Sequence, residues 1–248
     1  MFSIVYNTYC KLNMKIYLSL VLACFNEAEH LKTSYTTLLT FLKKINRPFE
    51  IIFVDDKSKD HTISIIRSLI KSRPDIPTVL ITHSKNFGRG KSVTDGLDVA
   101  QGEIAGYIDA DLEISPEYIQ PALHCLLKND FVVGKRDYVF TFRLIHRYIA
   151  TKVYALFVKK LFHLPVSDTE SGFKFFHRSK ILSVLKKAKN PGWFWDTEIV
   201  FYAVKMGLTV CEIPLVYKKK FSKKSTVHTI KDSTEYLINL ISLFLKNR

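Results

Sequence analysis

The most constraining feature of this chain is an alternation through its first half, where short apolar runs take turns with segments of helical period. Residues 16–24, 50–54, 78–82 and 104–108 read as strands, and 131–133 as a further one. Between them, residues 29–45, 60–72 and 91–100 read as helices, with Asp60 a possible N-cap of the second. Residues 116–127 read as one more helix, capped by Ser115 and opened by Pro116. A β-α-β-α order predicts an α/β fold with a mostly parallel sheet and helices on both faces. Ligands of such sheets sit at the carboxyl ends of the strands. The acidic residues fall there, with Asp55 and Asp56 after one run and Asp109 and Asp111 after another.

The second half is less regular. Residues 142–162 and 195–206 read as helices, 172–176 and 210–213 as strands, and 230–246 as a terminal helix. Residues 1–13 show no clear period, and Met14 is a second candidate start. The expected organisation is an extension over 1–15, one domain over 16–226 and an amphipathic helix over 227–248. A chain of 248 residues is long enough for one large domain with a real core.

A net charge of +14 favours anionic partners. No nucleic-acid-binding motif is present, and acidic strand ends repel phosphate unless metallated, so a nucleic-acid partner is not expected. Cys10, Cys24, Cys125 and Cys211 form neither a CxxC pair nor a Cys/His cluster. Neither a disulfide framework nor a zinc site is expected, and reduced thiols in a cytosolic protein is the simple reading. A membrane span needs about 20 apolar residues. The best run, 16–25, ends at Asn26-Glu27, and no charged stretch precedes an apolar one at the start, so neither a span nor a secretory signal is expected.

Asp109-Ala110-Asp111 places two carboxylates at a strand end, where they can hold a hard cation such as Mg²⁺ or Mn²⁺ that keeps positions open for substrate phosphates. Asp55 and Asp56 in succession repel each other and need a partner there, such as a nucleobase N–H or a ribose hydroxyl. Asn86-Phe87-Gly88-Arg89-Gly90-Lys91-Ser92 suggests a phosphate loop but fits neither standard motif. A P-loop needs Gly where Lys85 stands, and a dinucleotide fingerprint needs Gly where Val93 stands. What remains is a flexible Gly turn into a helix.

Taken in order, Phe25-Asn26-Glu27, Val54-Asp55-Asp56-x-Ser58-x-Asp60-x-Thr62, Asn86-x-Gly88-x-Gly90-Lys91 and Asp109-Ala110-Asp111 resemble glycosyltransferase family 2, and the polyprenyl-phosphate glycosyltransferases most of all. The likeness continues through Val133-Gly134-Lys135-Arg136, Asp168-Thr169-Glu170-Ser171-Gly172-Phe173-Lys174, Trp195-Asp196-Thr197-Glu198 and Glu212-Ile213-Pro214. The resemblance implies a GT-A fold, which is Rossmann-like with a mostly parallel mixed sheet. It also implies a nucleotide-sugar donor, Mg²⁺ or Mn²⁺, and inversion at the sugar carbon. On it, Asn26, Glu27, Asp55, Asp56, Gly88, Lys91, Asp109 and Arg136 bind the donor, with Asp55 on the base. Asp109 and Asp111 hold the metal, and Glu113 stands where a third ligand, usually Gln, is often found. Arg136, Asp168 and Glu170 are the catalytic set, and Arg143, Arg147, Lys174 and Ser225 face the acceptor. Two departures stand out. Glu170-Ser171 replaces a usual Gln-Cys, and the late basic loop, Lys218 to Ser225, lacks the Gly that normally precedes its Ser.

A phosphate acceptor is already largely anionic at neutral pH and needs cations rather than a base. A saccharide hydroxyl needs a general base, for which Glu170 is the candidate. Arg143 and Arg147 are spaced i,i+4 with Lys152 a turn later, which favours the lipid phosphate. In the terminal helix, Lys231, Glu235, Asn239, Ser242 and Lys246 form a polar stripe opposite Ile230, Leu237, Leu240, Ile241, Phe244 and Leu245. Beside the basic cluster 218–224, this is the pattern of an interfacial anchor, and peripheral contact with the cytoplasmic membrane face is expected.

Overall fold

A computed structural model of the chain describes residues 2–6, 15–138, 145–218 and 229–247, with side chains described outside 145–153 and 229–233. The strands are β1 (Phe2–Tyr6), β2 (Leu18–Cys24), β3 (Phe49–Asp55), β4 (Thr78–His83), β5 (Ile104–Ile108), β6 (Phe131–Tyr138), β7 (Phe173–His177) and β8 (Val210–Tyr217). The helices are α1 (Leu31–Lys44), α2 (Thr62–Ser72), α3 (Arg89–Val99), α4 (Ile119–Cys125), α5 (Ile145–Phe162), α6 (Arg178–Leu185), α7 (Trp195–Lys205) and α8 (Thr229–Lys246).

The strands form one eight-stranded sheet in the order β1-β4-β3-β2-β5-β7-β6-β8. β4, β3, β2 and β5 are mutually parallel, as are β6 and β8. β1 lies antiparallel on β4, and β7 is antiparallel to both β5 and β6. The result is the expected mostly parallel sheet. Successive strand side chains point to opposite faces, so each apolar run feeds two cores. Leu20, Leu22, Ile51 and Phe53 pack on one face beneath α1, α2 and α4. Val21, Ile52, Val54 and Ile81 pack on the other beneath α3, α5, α6, α7 and α8.

Several local expectations are corrected. Asp60 is not the N-cap of α2, whose first helical residue is Thr62 with His61 before it. Instead, Asp60 Oδ1 accepts from Thr62 N (3.0 Å) and Oδ2 from Ala28 N (3.1 Å). The helix expected over 116–127 divides into a 3₁₀ turn, Pro116–Tyr118, and α4. Pro121 has no N–H to continue the α-helical ladder back to Glu117. Ser115 does cap the turn, accepting from Glu117 N (3.4 Å). β1 and α6 were not foreseen. β6 and β8 run several residues further than their apolar cores. Cys125 and Cys211 are joined by a disulfide, contrary to the expectation of reduced thiols, and Cys24 is buried. α4 packs beside β8, and this juxtaposition across 86 residues of sequence has no signature in cysteine spacing.

Candidate functional site

The carboxyl ends of β2, β3, β5 and β6 converge on one rim of the sheet. At the first two, neighbouring loops are tied together. Asn26, held at φ 56°, donates its N–H to Ser58 Oγ (2.9 Å) and accepts Lys59 N at Oδ1 (2.7 Å), and Glu27 N donates to Thr62 Oγ1 (2.8 Å). Asp55 is fully buried at the end of β3. Its Oδ2 accepts from Ser58 N (3.1 Å), and its Oδ1 has no hydrogen-bond partner among the described residues. A buried carboxylate oxygen without a donor is costly, so Asp55 is suited to an external N–H.

Asp56 is used differently. Its Oδ1 meets His83 Nδ1 (2.7 Å) and Phe87 N (2.8 Å), and its Oδ2 accepts from Gly88 N (2.8 Å). His83 Nε2 in turn meets Asp95 Oδ2 (3.0 Å), and Asp95 Oδ1 is bonded by Lys91 Nζ. Asp56, Gly88 and Lys91, all expected at the donor, thus belong to a network that fixes the entry to α3. The two glycines there serve packing. A Cβ at Gly88 would sit 2.5 Å from Pro191 O, and one at Gly90 would sit 2.5 Å from Trp195 Cβ.

Burial alone would lower the pKa of His83, but hydrogen bonds and charge from Asp56 and Asp95 outweigh it and raise it to about 9. His83 and Lys91 likewise hold Asp95 below the usual carboxylate range against its burial. A raised folded-state histidine pKa contributes stability that is complete below its unfolded value near 6.5 and is lost as pH climbs through about 9. The urea midpoint is therefore expected to fall between pH 6.5 and 9.5, by an equivalent of up to ~3 kcal/mol. In His83→Gln that slope should flatten. An equal slope in both proteins would dissociate it from His83.

Asp109 ends β5. Arg89 donates to its Oδ1 through Nε (3.1 Å) and Nη2 (2.7 Å), and the third arm of the guanidinium, Nη1, bonds Asp196 Oδ2. Asp196 is buried, and its Oδ1 receives the Tyr107 hydroxyl and Lys174 Nζ (2.7 Å). Desolvation raises the Asp109 pKa against the pull of Arg89, and the nearby Asp111 charge adds to the rise. Two carboxylates two residues apart after one strand, with hard oxygen atoms, match what Mg²⁺ or Mn²⁺ takes from a protein, since such ions draw remaining ligands from water and substrate phosphates. The expected third ligand is engaged elsewhere, because Glu113 accepts the Tyr217 hydroxyl. Among the described residues, no three His, Cys, Asp or Glu side chains converge as a metal-holding group. The residues fit a two-carboxylate site that substrate completes.

The end of β6 carries an arginine among carboxylates. Arg136 in β6 forks onto Asp168, with Nε to Oδ2 (2.7 Å) and Nη2 to Oδ1 (2.9 Å), and reaches Glu170 Oε2 (3.4 Å). Asp168 Oδ2 also accepts from Arg136 N (3.0 Å). The Asp168 loop is itself held by Glu212 of β8, whose Oε1 accepts from Ser167 N (2.7 Å) and Asp168 N (2.9 Å). Burial would raise Asp168, but Arg136 dominates and holds it below the carboxylate range. Glu170 goes the other way, as burial lifts it to about 7 despite Arg136, so it titrates near neutrality. The catalytic trio expected from the sequence is brought together.

The acceptor set is less complete. Lys174, expected at the acceptor, lies inside the sheet, fully buried, with its ammonium on Ser171 O (2.6 Å) and Asp196. Burial lowers its pKa, and Asp196 opposes the fall. Arg143 and Ser225 lie outside the described residues, as does the basic loop beyond Lys218. Arg147 lies in α5, where only the backbone is described. α8 packs Leu240 and Leu243 into the core and leaves Leu237, Ile238, Ile241 and Leu245 exposed, and α5 leaves Leu156 and Phe157 exposed. Among the described residues no helix is long and apolar enough to cross a membrane. Sequence reasoning did not single out Arg89, Asp196, His83 or Glu212. Each falls inside or beside a motif, but its partner lies far along the chain.

The fold is shared with solved sugar-transferring enzymes. Glucosyl-3-phosphoglycerate synthase from Mycobacterium tuberculosis, solved with Mn²⁺, UDP and glucosyl-3-phosphoglycerate, superposes with a TM-score of 0.66 at 16% identity, covering 92% of this chain and 80% of that one. A mannosyltransferase from Pyrobaculum calidifontis, solved with GDP-Man and Mn²⁺, gives 0.63 at 17% identity, covering 95% and 66%. These establish the GT-A fold. A dolichyl-phosphate beta-glucosyltransferase of Dictyostelium discoideum is 28% identical over 213 residues, covering 80% of this chain and 65% of that relative. One from Saccharomyces cerevisiae is 26% identical over 222 residues, covering 81% and 66%. The chain thus spans just under two thirds of the length of these curated relatives. The profile described as Glycosyl transferase family 2 matches residues 19–184, more than half of the 248, and the chain belongs to that family.

Proposed function

We propose that this protein transfers a hexose from a nucleotide-diphosphate sugar to a polyprenyl phosphate, inverting the sugar carbon, with Mg²⁺ or Mn²⁺ held by Asp109 and Asp111. The observation that carries the reading is the meeting, on one rim, of a carboxylate pair at the end of β5 and the Arg136–Asp168 clamp at the end of β6. The first would suit a divalent cation carrying the donor's diphosphate, and the second would supply a fixed guanidinium on the same rim. Asp55 Oδ1, buried and without a donor, would accept an N–H of the base. A bound cation would supply charge for the leaving diphosphate. Arg136, oriented by Asp168, adds to that stabilisation without having to reorganise. The names of the relatives, dolichyl-phosphate beta-glucosyltransferases, make a lipid phosphate the first acceptor to test and glucose the first sugar. The apolar side chains exposed on α5 and α8 are where such a lipid, and a peripheral membrane contact, would be accommodated.

A second reading, transfer to a saccharide hydroxyl, is favoured by one observation. Glu170 lies beside Arg136 and burial raises its pKa to about 7, which would suit a general base. One assay separates the two: UDP- and GDP-hexoses offered with a polyprenyl phosphate or an oligosaccharide, in Mn²⁺, Mg²⁺ or EDTA. Transfer to the lipid phosphate that stops in EDTA and returns with Mn²⁺ is expected. Turnover unchanged in EDTA would remove the metal from the reading. Transfer only to the saccharide, rising through about pH 7 and lost in Glu170→Gln, would replace the first reading with the second.

A further inference from the structure

We infer that Arg89 is the positioning residue of the metal-binding carboxylate, with Asp196 as its anchor. The inference rests on the reading of Asp109 as a metal ligand. The guanidinium is 10% exposed and engaged on all sides. Nε and Nη2 both donate to Asp109 Oδ1, and Nη1 is tied to Asp196, itself 2% exposed. The Trp193 ring lies 5.1 Å from the guanidinium carbon and the Tyr107 ring 5.4 Å from it. Asp196 is fixed in turn by Lys174 and the Tyr107 hydroxyl. A rigid interior support therefore ends in two N–H groups that grip a single oxygen of a partly exposed carboxylate.

That grip has a geometric consequence. A guanidinium bound through two nitrogen atoms is planar and directional, so it sets the orientation of the carboxylate as well as its charge. With Oδ1 held, Oδ2 is directed to the side of Gly172, whose missing Cβ would otherwise lie 1.9 Å away. Oδ2, which Arg89 does not hold, would then be the oxygen left for a cation that Asp111 helps to bind. Lys91, two residues on, bonds Asp95 instead and cannot substitute. The residue that reads as part of a phosphate loop in the sequence is, in the fold, a buried brace.

Mn²⁺ binding, followed by the loss of the free-ion electron paramagnetic resonance signal with and without UDP, tests this apart from turnover. Arg89→Met should weaken Mn²⁺ binding at least about tenfold, and Asp196→Asn should weaken it by less. Arg89→Lys keeps the charge but loses the fork, and should leave the defect largely unrepaired. In an Asp109→Asn background, Arg89→Met should change Mn²⁺ affinity no further, as expected of residues acting through one another. Wild-type affinity in Arg89→Met, or full recovery in Arg89→Lys, would overturn the positioning role. If the wild-type protein binds no Mn²⁺, with or without UDP, the metal reading itself fails, which is a different result from a bound ion indifferent to Arg89.

Discussion

Asp168→Ala is expected to destabilise the protein by about 3–5 kcal/mol and to abolish transfer, because it strands a buried guanidinium. Arg136 is 15% exposed and Asp168 8%. The carboxylate accepts from both ends of the guanidinium fork, from Arg136 N and from Glu170 N (3.1 Å). Alanine leaves all of these donors without a partner in a site that water cannot easily refill. Glu170 is the only other carboxylate that Arg136 meets among the described residues, and at 3.4 Å it is a poor replacement. Asp168→Asn should lose less stability, because its carbonyl oxygen can still accept one bond, yet it should lose turnover almost as fully, because the guanidinium is no longer oriented. Urea unfolding beside a transfer assay measures both. An alanine variant with wild-type stability would mean that water replaces the carboxylate.

Gly172→Ala is expected to reduce turnover by about a hundredfold, through displacement of the Asp109 carboxylate on the ångström scale. The added Cβ would stand 1.9 Å from Asp109 Oδ2 and 2.4 Å from its Cγ, so one of them must move. Backbone movement is resisted, since Gly172 O accepts from Asp109 N (3.1 Å) at the start of the β5–β7 pairing. Asp109 would therefore turn away and pull against its bond to Arg89. On the proposed metal-holding role of Asp109, the loss should fall mainly on donor binding and turnover, with a smaller effect on unfolding. A methyl group tolerated without loss of activity would show that the Asp109 carboxylate is free to choose its orientation.

The fold was legible where one physical rule governed the pattern. β2, β3, β4 and β5 are apolar on both faces because helices cover both, and such runs stand out against amphipathic helices. β1 was missed because its side chains are not selected by burial, with Phe2 and Val5 about half exposed. α6 was missed because it follows β7 without a break and is only eight residues long. In the site, Asp109 and Asp168 could be located from strand ends and motif order. What could not be read was pairing. Arg89 meets Asp196 across 107 residues, and Glu212 supports Ser167 across 45. Lys174 looked like a cation for the acceptor because it follows a motif, but strand alternation turns it inward, onto Asp196.

The far margin of the sheet carries one more implication. An open sheet invites strand addition wherever outward N–H groups await acceptors. Along β8 that invitation is withdrawn at alternate positions. Pro214 has no N–H to offer, Val216 N donates to the Tyr118 hydroxyl (3.1 Å), and Lys218 N donates to Glu113 O (2.9 Å). The loop after β5 thus acts as a selvedge, and the groups that finish this margin come from the segment between Asp111 and Tyr118. A second chain seeking to extend the sheet here would have to peel that segment away, dismantling the turn that carries Asp111 and Glu113. Self-association by strand pairing at this margin and an intact rim are therefore mutually exclusive.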